Sequence, residues 1–379
     1  MEIYMDNSAT TKPYDEVMKE MINVMQNYYG NPSSAYRLGL EAEKKCNEAR
    51  GIIAKTINAS KDEIIFTSGG SESNNFLLKG FVKKGSHLIT TKMEHPSVIN
   101  TCTELEQQGV SITYLDVDER GHIDLDELEK SITKDTQIVS IMHANNEFGA
   151  VQDLCKIGKL IKEKSSRAKF HVDAVQSYGK LNIDVNKFNI DLLSASGHKI
   201  HGPRGIGFAY VRKGLSPKPL INGGGQESNF RSGTENLAGI CGMAKAADIM
   251  YSNMKENYIK VKKIKEYFVN RLSEIEDIRI NSSIDEDYIP HILNVSFRGV
   301  RAEVLLHLLE ENNIYVSNGS ACSAKKNKMS YVLKSIGLDP KDIEGAIRFS
   351  FNESNSFEEV DYTIEQLDKS LKILRRFKK

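Results

Sequence analysis

Ile190-Asp191-Leu192-Leu193-Ser194-Ala195-Ser196-Gly197-His198-Lys199-Ile200-His201-Gly202-Pro203-Arg204-Gly205 is the stretch from which the rest of the chain can be read. Its first four residues have the apolar run of a buried strand, which then passes into small and polar residues. One lysine follows between two histidines, and a Gly-Pro turn closes the segment. An amine that loses solvation in such a setting gives up its proton more readily, and a free amine can condense with a carbonyl group. Alone, Lys199 reads equally well as one more lysine on a solvated loop. Its neighbours along the chain therefore decide its meaning.

Working outward, short apolar strands alternate with helices. Strands are predicted over 63–66, 87–89, 110–115, 137–142, 169–172, 190–193 and 207–211. Helices are predicted over 38–57, 71–83, 96–107, 124–133 and 153–164. An earlier helix starts at Lys12-Pro13, with Val17, Met18, Met21, Ile22 and Met25 expected on one face. This α/β alternation predicts a largely parallel sheet covered by helices, with ligands at the carboxyl ends of its strands. After Asn222-Gly223-Gly224-Gly225-Gln226 the pattern changes. Two long helices, over 236–254 and 258–272, lead to short strands over 292–297, 314–316 and 346–351. Helices starting at Glu303 and Glu358 separate or follow them, as in a smaller α+β domain.

The 379 residues carry 51 Lys plus Arg and 51 Asp plus Glu. A chain without basic excess is not expected to track nucleic-acid phosphates. The five cysteines, Cys46, Cys102, Cys155, Cys241 and Cys322, are scattered and form no C-x-x-C pair. That argues against a disulfide framework or a structural zinc site and for a reducing compartment. The first residues have neither the basic nor the apolar region of a signal peptide. No apolar run approaches the roughly 20 residues that cross a bilayer. A cytoplasmic protein without membrane contact is expected.

Reactive groups collect after the predicted strands. Thr67-Ser68-Gly69-Gly70-Ser71-Glu72-Ser73-Asn74-Asn75 leads into a helix, and small residues there let backbone N–H groups converge on a phosphate. It lacks the lysine of a Walker loop. His95 stands just before the helix-starting Pro96, placed either to cap that helix or to stack on a flat ring and move protons. Asn145 and Asn146 offer amides. Asp173 ends a strand, with Gln176 one turn on. A strand-end carboxylate can keep a pyridine nitrogen protonated, or simply cap a helix. A phosphate cradle, a stacking histidine, a strand-end aspartate and a later lysine, in that order, fit pyridoxal 5′-phosphate.

With these residues, the chain resembles the cysteine desulfurases of the NifS/IscS type, within the class-V aminotransferase-like enzymes of fold-type I. The resemblance runs essentially end to end. It includes Asp6-Asn7-Ser8-Ala9-Thr10-Thr11, Gly30-Asn31-Pro32-Ser33-Ser34, His171-Val172-Asp173-Ala174-Val175-Gln176, Ser196-Gly197-His198-Lys199, Arg231-Ser232-Gly233-Thr234 and Ser320-Ala321-Cys322-Ser323. It implies a large pyridoxal phosphate-binding domain over 14–256, built on a mostly parallel seven-stranded sheet. Residues 1–13 and 257–379 would form the smaller domain. By similarity Lys199 would carry the cofactor, Asp173 would pair with its ring nitrogen, and Gln176 would bond its ring oxygen. His95 would stack over the ring and assist proton transfer. Asn146 would also touch it, and Gly70, Ser71, Ser196 and His198 would hold the phosphate. Thr234 would reach the phosphate of a neighbouring subunit, which implies a homodimer. Arg348 would clamp the substrate carboxylate with Asn31 nearby, since a planar fork suits a carboxylate.

Cys322 distinguishes this branch from its relatives. Gly, Ser and Ala around it leave the thiol uncovered, and Lys325, Lys326 and Lys328 favour the thiolate. Cys241, in an apolar helix, reads instead as a core residue. The implied reaction converts L-cysteine to L-alanine and leaves a persulfide on Cys322. A sulfur-acceptor protein would follow, either an iron–sulfur scaffold or a tRNA-thiolation protein. No resident metal is implied, only a transient iron–sulfur contact at Cys322. The chain stops soon after the helix over 357–377, so the tail with which some relatives dock the scaffold is not expected. The alternatives are another class-V enzyme (a selenocysteine lyase or an aminotransferase) and a non-catalytic scaffold that kept the fold.

Overall fold

The computed structural model describes residues 2–319 and 329–376. The chain opens with β1 (Ile3–Tyr4), α1 (Asp15–Asn27) and α2 (Arg37–Thr56). Alternation then sets in: β2 (Ile64–Thr67), α3 (Gly70–Phe81), β3 (His87–Thr91), α4 (Pro96–Gln107), β4 (Ser111–Leu115), α5 (Leu125–Ser131), β5 (Thr136–Met142), α6 (Leu154–Lys164) and β6 (Lys169–Asp173). β7 (Leu192–Ser196) and β8 (Gly207–Val211) complete the large sheet. There follow α7 (Leu237–Leu272), β9 (Ile278–Ile280), β10 (Ile292–Phe297), α8 (Ala302–Glu310) and β11 (Ile314–Tyr315). Beyond residue 328 come α9 (Tyr331–Ser335), α10 (Pro340–Glu344), β12 (Ala346–Ser350) and α11 (Phe357–Arg376).

The seven-stranded sheet runs β2-β8-β7-β6-β5-β3-β4. Only β8 opposes its neighbours; the other pairings are parallel. The mostly parallel α/β sheet is therefore the one the alternation predicts. Its central strands are buried along their length, which is why they read as apolar runs rather than alternating ones. Local signals start the covering helices: Pro96 opens α4 behind His95, and Asp124 and Asp153 cap α5 and α6. His171, in the middle of β6, bridges Ser140 Oγ of β5 (2.8 Å) and Ser194 Oγ of β7 (3.1 Å). Burial pushes its pKa down to about 3, so it serves the sheet as a neutral polar link.

A second apolar cluster joins Ile3 and Met5 to residues of α7, β10, β12 and α11. α7 passes through both regions. The break expected between 254 and 258 does not exist, because Lys255-Glu256-Asn257 contains no proline or glycine to interrupt the helix ladder. β1 and β9 are additional short strands without a sequence signal of their own. In α1 the expected single apolar face is split. Val17 and Val24, two turns apart, are buried, whereas Met18, Ile22 and Met25 are 41, 51 and 57% exposed.

Residues 5–14 lie as a strap between the two regions. Asp6 bridges to Ser350 of β12, Thr11 donates through N and Oγ1 to His198 O, and Tyr14 stacks on His201 at 4.3 Å. Leu193, wholly buried at the centre of the sheet, is a direct probe of this core. Leu193→Ala is expected to lower stability by about 2–5 kcal/mol, read from the shift of the urea unfolding midpoint.

Candidate active site

β6 ends on Asp173. The register sets Met142 beside Asp173 and Asp173 beside Ser194, so the ends of β5 and β6 lie level and β7 runs two residues further, to Ser196. The Asp173 side chain is buried, with Asn74 Nδ2 donating to one oxygen (2.8 Å) and Val175 N to the other (3.0 Å). Asn74 also donates to Ser97 Oγ at 2.9 Å, and that hydroxyl lies 2.8 Å from His95 Nδ1. The same ring nitrogen accepts from Ser97 N at 3.1 Å, so it carries no proton. Burial, aided by the charge of Lys199 and opposed by Asp173, holds the imidazole pKa below its ordinary value. His95 therefore caps α4 and belongs to the hydrogen-bond network of Asp173. Of the two that link them, Asn74 lies in the Thr67–Asn75 stretch but is not marked there as a partner of Asp173, and Ser97 carries no motif of its own.

Lys199 ends a single 3₁₀ turn, Gly197–Lys199, just beyond β7. Its Nζ donates to the carbonyls of Ser8 (2.5 Å) and Ala9 (2.8 Å) on the strap. Gln176 Nε2 donates to the same Ser8 carbonyl at 3.0 Å. Its Oε1 is buried without a hydrogen-bond partner among the described residues, as is Asn146 Oδ1. His198 Nδ1 lies 3.3 Å from Thr10 Oγ1. Burial first, then Lys199 and Arg204, push its pKa down to about 4, so it is neutral at physiological pH.

α3 begins at Gly70, behind Gly69 at φ 153°, without a side-chain cap on its first N–H groups. A Cβ on Gly70 would come within 2.5 Å of Val175 Cγ2, and one on Gly207 within 2.6 Å of Gly69 Cα. A Cβ on Gly69 would stand 3.6 Å from Ser196 Oγ. Glycine thus lets the α3 N-terminus close on the end of β7, where the helix dipole favours an anion. Ser71 is exposed at this mouth. Thr234 is exposed too, on the segment that Arg231 ties to α3 through Glu72 (2.8 Å).

Arg348 projects from β12 and is 3% exposed. Its Nη2 donates to Asp6 Oδ1 (2.8 Å), and its Nη1 to the carbonyls of Asn146 (2.8 Å) and Gly319 (3.2 Å). Asn31 does not join these contacts. It lies exposed between α1 and α2, where its Oδ1 accepts from Ser33 N. Cys322 lies outside the described residues. Of the residues that flank it, Gly319 is held by Arg348 and Ser330 donates to Glu147 Oε2 at 2.5 Å.

The profile described as "Aminotransferase class-V" matches residues 3–363 of the chain. "Cysteine desulfurase IscS" of Clostridium botulinum (strain Hall) is 42% identical over 377 residues, 98% of this chain and 94% of that protein. The chain belongs to the class-V aminotransferase family, among the IscS/NifS-type cysteine desulfurases. A solved "NIFS-like protein" superposes with a TM-score of 0.93 at 39% identity, covering 98% of this chain and all of the other. "SspA in complex with cysteine" does so at 0.82 and 36%, covering 94% of this chain and all of the other. The seven-stranded sheet and its flanking helices are thus the fold-type I arrangement of this family.

Glu94, the neighbour of His95, was not singled out from the sequence by its chemistry. It is wholly buried; Oε1 accepts from Met142 N (2.8 Å) and Thr91 Oγ1 (3.0 Å), while Oε2 has no partner. Burial, with the charge of Asp173 adding to it, raises its pKa from 4.5 to about 8. The folded chain then binds a proton that the unfolded chain releases, so this group's contribution to stability falls as pH rises from 4.5 through about 8. Glu94→Gln is expected to flatten that slope and to raise the unfolding midpoint at pH 8 relative to the parent chain. A lower midpoint there, with the slope unchanged, would mean that Glu94 is ionised in the fold.

Proposed function

We propose that this chain is a pyridoxal 5′-phosphate-dependent cysteine desulfurase that converts L-cysteine to L-alanine and takes the sulfur onto Cys322 as a persulfide. One observation carries the reading. The strap presents carbonyls to Lys199 and a carboxylate to Arg348, which supports reading an amine and a guanidinium from distant parts of the chain as members of one site.

The residues present fit the cofactor. Asp173, oriented by Asn74 and Val175 N, would hold the proton of its ring nitrogen, and the unpartnered oxygens of Gln176 and Asn146 would meet polar groups around the ring. The uncapped N-terminus of α3 at Gly70, with Ser71, Ser196 and His198, would hold the phosphate. When bound, the pyridinium ring supplies a sink for the electron pair left at the substrate Cα. Lys199 would move the Cα proton, and His95, neutral with its proton on Nε2, would assist at the substrate thiol as a donor. Arg348 would hold the substrate carboxylate, with Asn31 brought close from its exposed loop. The Cys322 thiolate would attack the substrate sulfur: an S–S bond forms, the C–S bond breaks, and the carbon keeps the electron pair and takes up a proton to give alanine.

The wider reading has three parts. The chain would pair as a homodimer through the exposed apolar stripe of α1 with Tyr29, Tyr36 and Leu40, which would bring Thr234 to the neighbouring site. Residues 14–256, and 1–13 with 257–379, would act as its two domains, joined through α7. Sulfur would pass to an iron–sulfur scaffold or a tRNA-thiolation protein in the cytoplasm. No helix among the described residues is long and apolar enough to cross a membrane.

Cys322→Ala is expected to keep cofactor uptake, seen as a visible absorption band, while sulfide release from L-cysteine falls at least about a hundredfold. Undiminished turnover in Cys322→Ala would refute the persulfide route and leave an aminotransferase or lyase in its place. Sedimentation is expected to show a dimer for the parent chain and a monomer for the doubly substituted Ile22→Asp, Met25→Asp chain.

A further inference from the structure

The strap and β12 are locked in register. Ser350 N donates to Met5 O (2.7 Å), and Asn7 donates to Ser350 O through N (3.3 Å) and Nδ2 (2.9 Å). Tyr4 OH, Ala9 N and Thr10 N all donate to the Asp6 carbonyl. Asp6 is thereby fixed as a backbone unit beside Arg348, with 19% of its side chain exposed where that of Arg348 is 3% exposed. A guanidinium has five N–H donors in a rigid fork. In Arg348 two bonds from Nη1 go to the carbonyls of Asn146 and Gly319, and one from Nη2 goes to Asp6. Nε is buried and has no partner among the described residues. Three bonds out of five donors leave Nε–H and the second Nη2–H, borne by neighbouring nitrogens. A carboxylate accepts two such bonds.

We infer that Asp6 is a positioning residue for the substrate carboxylate, turning the Arg348 fork so that Nε–H and the second Nη2–H stay available together. The inference rests on the reading of Arg348 as the carboxylate seat. Asp6 neutralises a buried cation that would otherwise seek another anion, and it approaches from the side open to water. The two carbonyls on Nη1 fix the guanidinium along one edge, and Asp6 fixes its rotation. Arginine suits the seat because every donor has a direction, and the directions are set by groups outside the ligand.

The test uses the cofactor-loaded chain and two ligands, L-alanine and cysteamine, which keeps the amine and thiol of cysteine but lacks the carboxylate. Asp6→Ala is expected to weaken L-alanine binding about tenfold by calorimetry and to raise KM for L-cysteine to match, with kcat changed less than about twofold. Cysteamine affinity is expected to stay at the parent value. Asp6→Asn, which keeps an oxygen acceptor, is expected to lose only about threefold for L-alanine. That variant carries the comparison alone if Asp6→Ala does not fold. Equal losses for both ligands, or no loss for L-alanine, would overturn the role given to Asp6. Arg348→Ala separates this failure from that of the underlying reading. If it leaves L-alanine binding intact, Arg348 is not the seat; if it abolishes binding while Asp6→Ala does not weaken it, only the inference about Asp6 falls.

Discussion

An ammonium group withdrawn from water needs acceptors at fixed places, and Lys199 finds its acceptors in the backbone of the strap, at Ser8 and Ala9. That pair of contacts joins the tip of β7 to a segment almost two hundred residues earlier. The same strap reaches His198 through Thr10 and Thr11, Gln176 through Ser8, and Arg348 through Asp6. Side chains from the large sheet and from the C-terminal region are thereby held against one short, irregular piece of backbone. Backbone carbonyls suit the task because they cannot ionise, and they leave with the chain only if the strap itself detaches.

The sheet supplies the other half of the arrangement. Parallel strands in register bring Met142, Asp173 and Ser194 level, so a buried carboxylate, an amide pair and the lysine turn emerge at one edge. Asp173 is stabilised by two N–H donors rather than by a counter-ion within the sheet. The histidines around it stay neutral: His171 and His198 are pushed well below neutrality by burial, and His95 is shifted in the same direction. None of these three histidines therefore sets a cation beside Asp173, where a cationic ring nitrogen would lie.

What could be read from the sequence follows from the range of each signal. Strand ends, glycine-rich caps and a lysine beyond an apolar run are local patterns, and they place Asp173, His95, Gly70 and Lys199 on the correct edge of the sheet. Contacts between the strap and β12, such as Asn7 with Ser350 across 343 positions, leave no local trace. Asn74 and Ser97 are ordinary helix residues until Asp173 and His95 are in place. The split face of α1 leaves no trace in the sequence, because an apolar residue reads alike whether the core buries it, as with Val17 and Val24, or leaves it exposed, as with Met18, Ile22 and Met25. A proline or glycine would have marked a break in α7; Lys255-Glu256-Asn257 does not, and the helix continues. Asn31 lies on an exposed loop, away from the contacts of Arg348, and its sequence motif carries no signal of that distance.

Lys199 is the amine proposed to hold the cofactor. Lys180, on the turn after Gln176, is buried where Lys199 is only half-buried, and desolvation lowers its pKa to about 8, so it is a genuine competitor. Borohydride reduction of the cofactor-loaded chain, followed by peptide mass spectrometry, distinguishes the two. The account predicts the reduced pyridoxyl group on the peptide that contains Lys199 and on no other. Its recovery on Lys180, or on no lysine of a fully loaded chain, would contradict it.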